Sequence, residues 1–164
     1  MNFINLIKEI ELLAVKHNLV SSFVEGDNVF EVNSSDNLYP VVYLTSKPHQ
    51  LGHPTSTYNF YIYYVDRLLE DKSNRLFIQN AGMKAINDLI LDIIELEKTD
   101  CAYPIAINTF TEKFTDECAG VWAEISIESY NDMTECNKMS YSVGIITEDG
   151  EQIITENQEK VIVE

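Results

Sequence analysis

The sequence predicts an α+β fold, an antiparallel or mixed β-sheet packed by two main helices in the order α-β-β-β-α-β-β, with a C-terminal β-hairpin extension. Three observations predict it. Two segments, 2–17 and 73–98, carry apolar residues at helical spacing. Short runs of β-branched and aromatic residues lie between and after them, bounded by turn formers. The composition is that of a folded protein, 45% hydrophobic and 10% aromatic over 164 residues, enough for one core without disulfide or metal staples.

In the first segment Phe3, Leu6, Ile7, Ile10 and Leu13 share one helical face while Lys8, Glu9, Glu11 and Lys16 fall elsewhere, and Asn18 is expected to end the helix. Val29, Phe30 and Val32, between turn formers, predict a short strand. A second strand is expected over 39–44. After a polar loop, 45–57, the alternation of Tyr58, Phe60, Ile62 and Tyr64 with Asn59, Tyr61, Tyr63 and Val65 predicts a long third strand, antiparallel to the second. In the second helix Phe77, Ala81, Ala85, Leu89, Ile93 and Leu96 form a stripe that Ile86, Ile90 and Ile94 widen. Strands return at 105–110 and 121–129. In the latter Val121, Ala123, Ile125 and Ile127 face the core, and Trp122, Glu124, Ser126 and Glu128 face a polar side. Residues 1–130 therefore form the expected core. Residues 131–164 form a polar connector and a hairpin around Asp149-Gly150, a dipeptide suited to a tight turn between β-prone runs.

With 27 acidic against 11 basic residues, the formal charge of −16 argues against a broad nucleic-acid footprint or an anionic membrane partner, both of which need basic surface. It suits a solvated surface, a basic partner, or a passage past which DNA moves without sticking. The apolar N-terminal stretch is interrupted by Lys8, Glu9 and Glu11 and is not expected to be a signal peptide. No run approaches about 20 uninterrupted apolar residues, so no membrane span is expected. Cys101, Cys118 and Cys136 form no CxxC pair and read as reduced cytosolic thiols.

Two segments carry a family likeness: DRLLEDKSNRLFIQNAGMKAINDLILDI (66–93) and FTEKFTDECAGVWAEISIE (110–128). In the second, an aromatic residue, a charged stretch, a Phe, an Asp, then Gly and Trp lead into the last core strand. The chain resembles tail-terminator-type head-to-tail connector proteins, the neck ring proteins of tailed bacteriophages, with the flavour of ring proteins in crAss-like phages. The likeness covers roughly residues 1–130 and contains no catalytic signature. It implies a virion structural protein and not an enzyme. The implied assembly is a homo-oligomeric ring, dodecameric by preference and hexameric as the alternative, between portal and tail. Genomic DNA would pass through its channel without specific binding. The rival reading is a small acidic binding module that mimics nucleic-acid charge and occupies a basic protein partner.

No catalytic residue, metal or cofactor is expected. His49 and His53 lie four apart, but Pro48, Gly52 and Pro54 preclude a regular helix between them and no further ligand completes a set. Their loop, which also holds Lys47, is expected to be exposed and to contact the channel or an adjacent ring. From the resemblance, contacts between subunits are expected at Asn74 and Arg75 and in the loop that holds Phe114 and Asp116. Trp122 is expected to cover a second packing layer or to anchor an interface, where Trp is enriched. Glu124 and Glu128 share one side of a strand, which a solvated face explains without acid–base chemistry.

Overall fold

The computed structural model describes residues 2–26, 38–97, 99–111, 117–130, 145–146 and 152–153. The chain divides into two compact units, Met1–Asn131 and Asp132–Glu164. The fold of the first is α+β, two helices on a six-stranded mixed sheet, in the order the sequence predicts with one short strand added.

Helix α1, Phe3–Lys16, begins where the Asn2 side chain accepts a hydrogen bond from the Asn5 backbone N–H at 2.9 Å, relieving one of the orphan donors of the first turn. Leu6, Ile10 and Ala14 are its buried stripe. The helix stops at His17, whose Nδ1 accepts from Leu19 N–H at 3.2 Å. The His17 Nε2 lies 3.3 Å from Asp88 Oδ2, joining the end of α1 to the second helix.

Strand β1, Ser22–Glu25, runs parallel to β2, Val41–Ser46, which is antiparallel to β3, Thr55–Arg67. The strand expected around Val29 to Val32 falls outside the described residues. The one observed ahead of it has only Phe23 and Val24 as β-formers, a weak local signal, and is held by its ladder to β2. Helix α2, Arg75–Glu95, is followed by β4, Thr99–Cys101, then β5, Ile107–Thr111, and β6, Cys118–Tyr130. The spine of the sheet is the thirteen-residue antiparallel pairing of β3 with β6, from Thr55 opposite Tyr130 to Arg67 opposite Cys118. The other edge of β6 is shared end to end by β4 and β5.

Both helices cover the same sheet face. The core joins Leu6 and Ile10 of α1, Ile78, Ile86, Leu89 and Ile93 of α2, and Phe60, Ile62, Val121 and Ile125 of the central strands. The stripe on α2 is shifted from the expected one: Ile78 is buried and Phe77 is 72% exposed. The reason is proximity. Ala81, Gly82 and Ala85 let the helix approach Tyr64 and Val121 closely, and that contact fixes the helix rotation with Ile78 inward.

On the opposite face β6 was expected to be polar apart from Trp122, which was expected to cover a second packing layer or to anchor an interface. One end of that face carries a second apolar cluster of Val41, Tyr43, Val65, Phe110 and Cys118, against which Val24, Tyr39, Tyr63 and Trp122 pack. Strand β5 supplies Phe110 to this layer, whereas Glu124 and Glu128 further along β6 stay exposed as expected. In the second unit Ile145–Ile146 (β7) pairs antiparallel with Gln152–Ile153 (β8), which is the hairpin expected around Asp149-Gly150. No helix among the described residues is long and apolar enough to cross a membrane.

Candidate functional site

The sheet face away from the helices carries the most distinctive group of side chains. Alternation along β3 sends Tyr61 and Tyr63 to it, and cross-strand register then decides their neighbours. Tyr63 lies opposite Tyr43 on one side and Trp122 on the other, and Tyr61 lies opposite Thr45 and Glu124. The rings form a chain of contacts. Tyr43 meets Tyr63 at 6.5 Å between centroids, Tyr63 stacks on Trp122 at 6.3 Å, and Tyr61 meets Trp122 edge-on at 5.8 Å. Each such pair contributes about 0.5–1.5 kcal/mol beyond area burial. Tyr43 is fully buried, whereas Tyr61, Tyr63 and Trp122 are only half-buried.

Lys47 closes one end of this chain. Its ammonium lies 4.5 Å from the Tyr61 ring centroid and pairs with the Glu124 carboxylate. The hydrogen bond to Glu124 raises the Lys47 pKa, and burial raises that of Tyr63, so near neutral pH the ammonium is charged and the phenol is not. Lys47 is matched by a carboxylate and Arg67, on the same face, lies 4.8 Å over the Tyr39 ring, so the cations of this surface among the described residues are already engaged and it is a poor track for phosphates. It is an apolar, aromatic platform with a polar rim, the make-up of a protein docking surface.

Of the residues singled out from sequence, Lys47 and Trp122 therefore meet on one platform. His49 goes to the other side. Its ring packs on Phe3 at 4.8 Å and near Tyr58 and Phe60 at 5.5 and 5.6 Å, and its Nδ1 accepts from Asn59 N–H at 3.1 Å. Burial lowers the His49 pKa, which favours the neutral ring that can accept this bond. Asn59 clamps the same loop twice more, donating from Nδ2 to Pro48 O at 2.8 Å and accepting Lys47 N–H at 2.9 Å. His53 is exposed at the loop tip.

Asn74 is a structural clip. Its Oδ1 accepts from Leu69 N–H and its Nδ2 donates to Arg67 O, both at 3.0 Å, so it ties the β3–α2 connection and makes no side-chain cap to the helix. Arg75 is exposed at the first turn of α2. Phe114 and Asp116 lie outside the described residues. Sequence reasoning missed Tyr43 as a member of the platform and Glu124 as the partner of Lys47. Alternation puts Tyr61 and Tyr63 on one face, but only register shows what lies across from them.

The two described thiols, Cys101 and Cys118, are buried and not joined in a disulfide; burial pushes the Cys101 thiol up to about 11, and Cys118 packs beside the Tyr39 hydroxyl. A thiol raised in this way is a weak nucleophile at neutral pH. Among the described residues no group of three His, Cys, Asp or Glu side chains is placed to hold a metal ion. Comparison with protein-family models finds no match, and neither does a search of curated proteins.

Proposed function

We propose that the chain is a structural subunit of a virion neck ring that joins portal to tail and encloses the DNA channel, working without catalytic turnover. One observation carries the reading. The order helix, three strands, helix, strands around a mixed sheet, with both helices on one side and one short strand, β4, added, agrees with the α+β order on which the resemblance to tail-terminator-type connectors was drawn. The chemistry of the surface is consistent with it. A half-buried platform of Tyr61, Tyr63 and Trp122 suits a permanent protein neighbour, and a formal charge of −16 suits a wall that repels phosphates so that DNA slides past. A ring requires heterologous contacts that close by rotation, so the platform on one copy would meet a different surface on the next. On this reading the protein is assembled in the host cytoplasm and resides in the virion.

The deciding experiment is the mass of the purified protein in solution, by native mass spectrometry or light scattering, alone and with the portal or tail partner. A hexamer, a dodecamer, or a monomer that becomes either on a partner supports the ring. A monomer indifferent to both refutes it and favours the acidic binding module.

A further inference from the structure

The loop between β2 and β3 holds one backbone donor with two candidate acceptors. The register that pairs Ser46 with Phe60 puts Lys47 opposite Asn59, and Lys47 N–H donates to Asn59 O at 2.9 Å. In an antiparallel ladder a hydrogen-bonded pair exchanges both bonds, so Asn59 N–H would donate back to Lys47 O. It donates instead to His49 Nδ1, at 3.1 Å. Asn59 is anchored on its other side, where its Oδ1 accepts from Ser126 Oγ of β6 at 2.7 Å. The loop is therefore the partner that can move.

Two residues apart, this loop sends side chains to opposite faces of the sheet. His49 packs on Phe3 of α1 and near Tyr58 and Phe60 of β3, on the helix side. Lys47 lies over Tyr61 and pairs with Glu124, on the platform. Among the rings packed on His49 only that of Tyr58 bears a titratable group, and burial, with no contribution from a charge, lowers the His49 pKa from 6.5. A neutral imidazole has one nitrogen that accepts a hydrogen bond, whereas the protonated ring has two donors and no acceptor.

We propose that His49 is a pH switch for this loop: when its ring takes up a proton from solvent, Asn59 N–H passes from His49 Nδ1 to Lys47 O, the ring leaves Phe3, Tyr58 and Phe60, and Lys47 leaves the platform. To take up the bond the Lys47 carbonyl turns toward Asn59, and that turn reorients the Lys47–Pro48 peptide. The loop stays closed while His49 is neutral and opens as pH falls through its lowered folded value. Opening uncovers Tyr61 on one face and the three rings under His49 on the other, so acid exposes aromatic surface on both. The switch does not rest on the ring reading.

The chain has three histidines and one tryptophan. His17 lies beside Asp88 at the other end of α1, and His53 is exposed at the loop tip. Amide NMR between about pH 5 and 8 should show the Asn59 and Lys47 backbone signals and the Trp122 indole N–H shifting together on a one-proton curve. Its midpoint should lie below 6.5 and match that of the His49 ring protons. His49→Asn, whose Oδ1 can accept where Nδ1 did but takes up no proton in this range, should abolish the shared step, and His53→Gln should keep it. A Lys47 or Trp122 signal that stays flat while Asn59 shifts overturns the proposal, as does a shared step that survives His49→Asn. Should His49→Asn not fold, the wild-type titration decides alone, because a shared midpoint that differs from that of the His49 ring protons refutes the switch.

Discussion

Replacing Gly82 by Ala should destabilise this protein, although the same change in an exposed helix interior would stabilise it. A Cβ at Gly82 would lie 2.7 Å from Tyr64 Cδ1 and 2.8 Å from Val121 Cγ2, well inside the roughly 3.5–4.0 Å at which carbon atoms attract. Neither neighbour can yield cheaply. Tyr64 is held in the central strand β3, and its hydroxyl donates to Leu19 O at 3.1 Å. Val121 lies in β6 with Tyr64 across one edge and Thr109 across the other. The helix must therefore move outward, loosening Ile78, Ile86 and Leu89 along its length. Overpacking of this kind costs about 1–3 kcal/mol, against about 1 kcal/mol gained in helix propensity. Because the whole helix shifts, we expect the upper part of that range and a net loss of about 1–2 kcal/mol. Urea unfolding should show a lower midpoint at unchanged slope, and the melting temperature should fall by roughly 3–6 °C. A rise in either would mean that α2 does not approach the sheet so closely, and the account of why Phe77 points outward would fail with it.

Asn74→Ala should cost about 1–2 kcal/mol by removing both hydrogen bonds that clip the β3–α2 connection, and an unchanged urea midpoint would show the clip to be incidental. The His49 pKa is depressed in the fold, so its contribution is present above the unfolded value of 6.5 and lost as pH falls through the folded value. Wild type should therefore lose stability from pH 7 to 5 relative to His49→Phe, and parallel profiles would contradict the buried neutral ring. Tyr64 is raised by burial from 10.0 to about 12, so its contribution is intact below pH 10 and lost as pH rises through about 12. Tyr64→Phe should be flatter than wild type across that window, and equal slopes would count against burial of the hydroxyl. Trp122→Ala should leave a folded subunit with weakened assembly on the proposed reading, and intact rings from the variant would remove the aromatic platform from the interface.

The elements were legible wherever a period runs long enough. The four-residue pattern of α1 and the alternation from Tyr58 to Val65 each repeat several times, and both appear within a few residues of where they were expected. The signal fails where an element is short or its fit is decided elsewhere. Ser22–Glu25 and Thr99–Cys101 have too few residues to show a period and exist through their pairing to β2 and β6. Phe77 matches the apolar stripe by spacing alone. The rotation that exposes it is set by the small residues Ala81, Gly82 and Ala85 meeting Tyr64 and Val121, a packing fact that no periodicity encodes.

The candidate site was half legible for the same reason. Sequence places Tyr61 and Tyr63 on one side of a strand and Trp122 on one side of another, but register joins them. His49 shows the opposite failure. It lies in a polar loop rich in Pro and Gly, yet Asn59 and the ring of Phe3 fold it inward, away from Lys47 two residues before it. The surface left outward by this packing is the sheet platform, where Lys47 is matched by Glu124 and Arg67 lies over the Tyr39 ring. With its cations engaged and its middle aromatic, it calls for an apolar surface on a neighbour rather than a charged one, which is the unlike surface that a contact closing by rotation supplies.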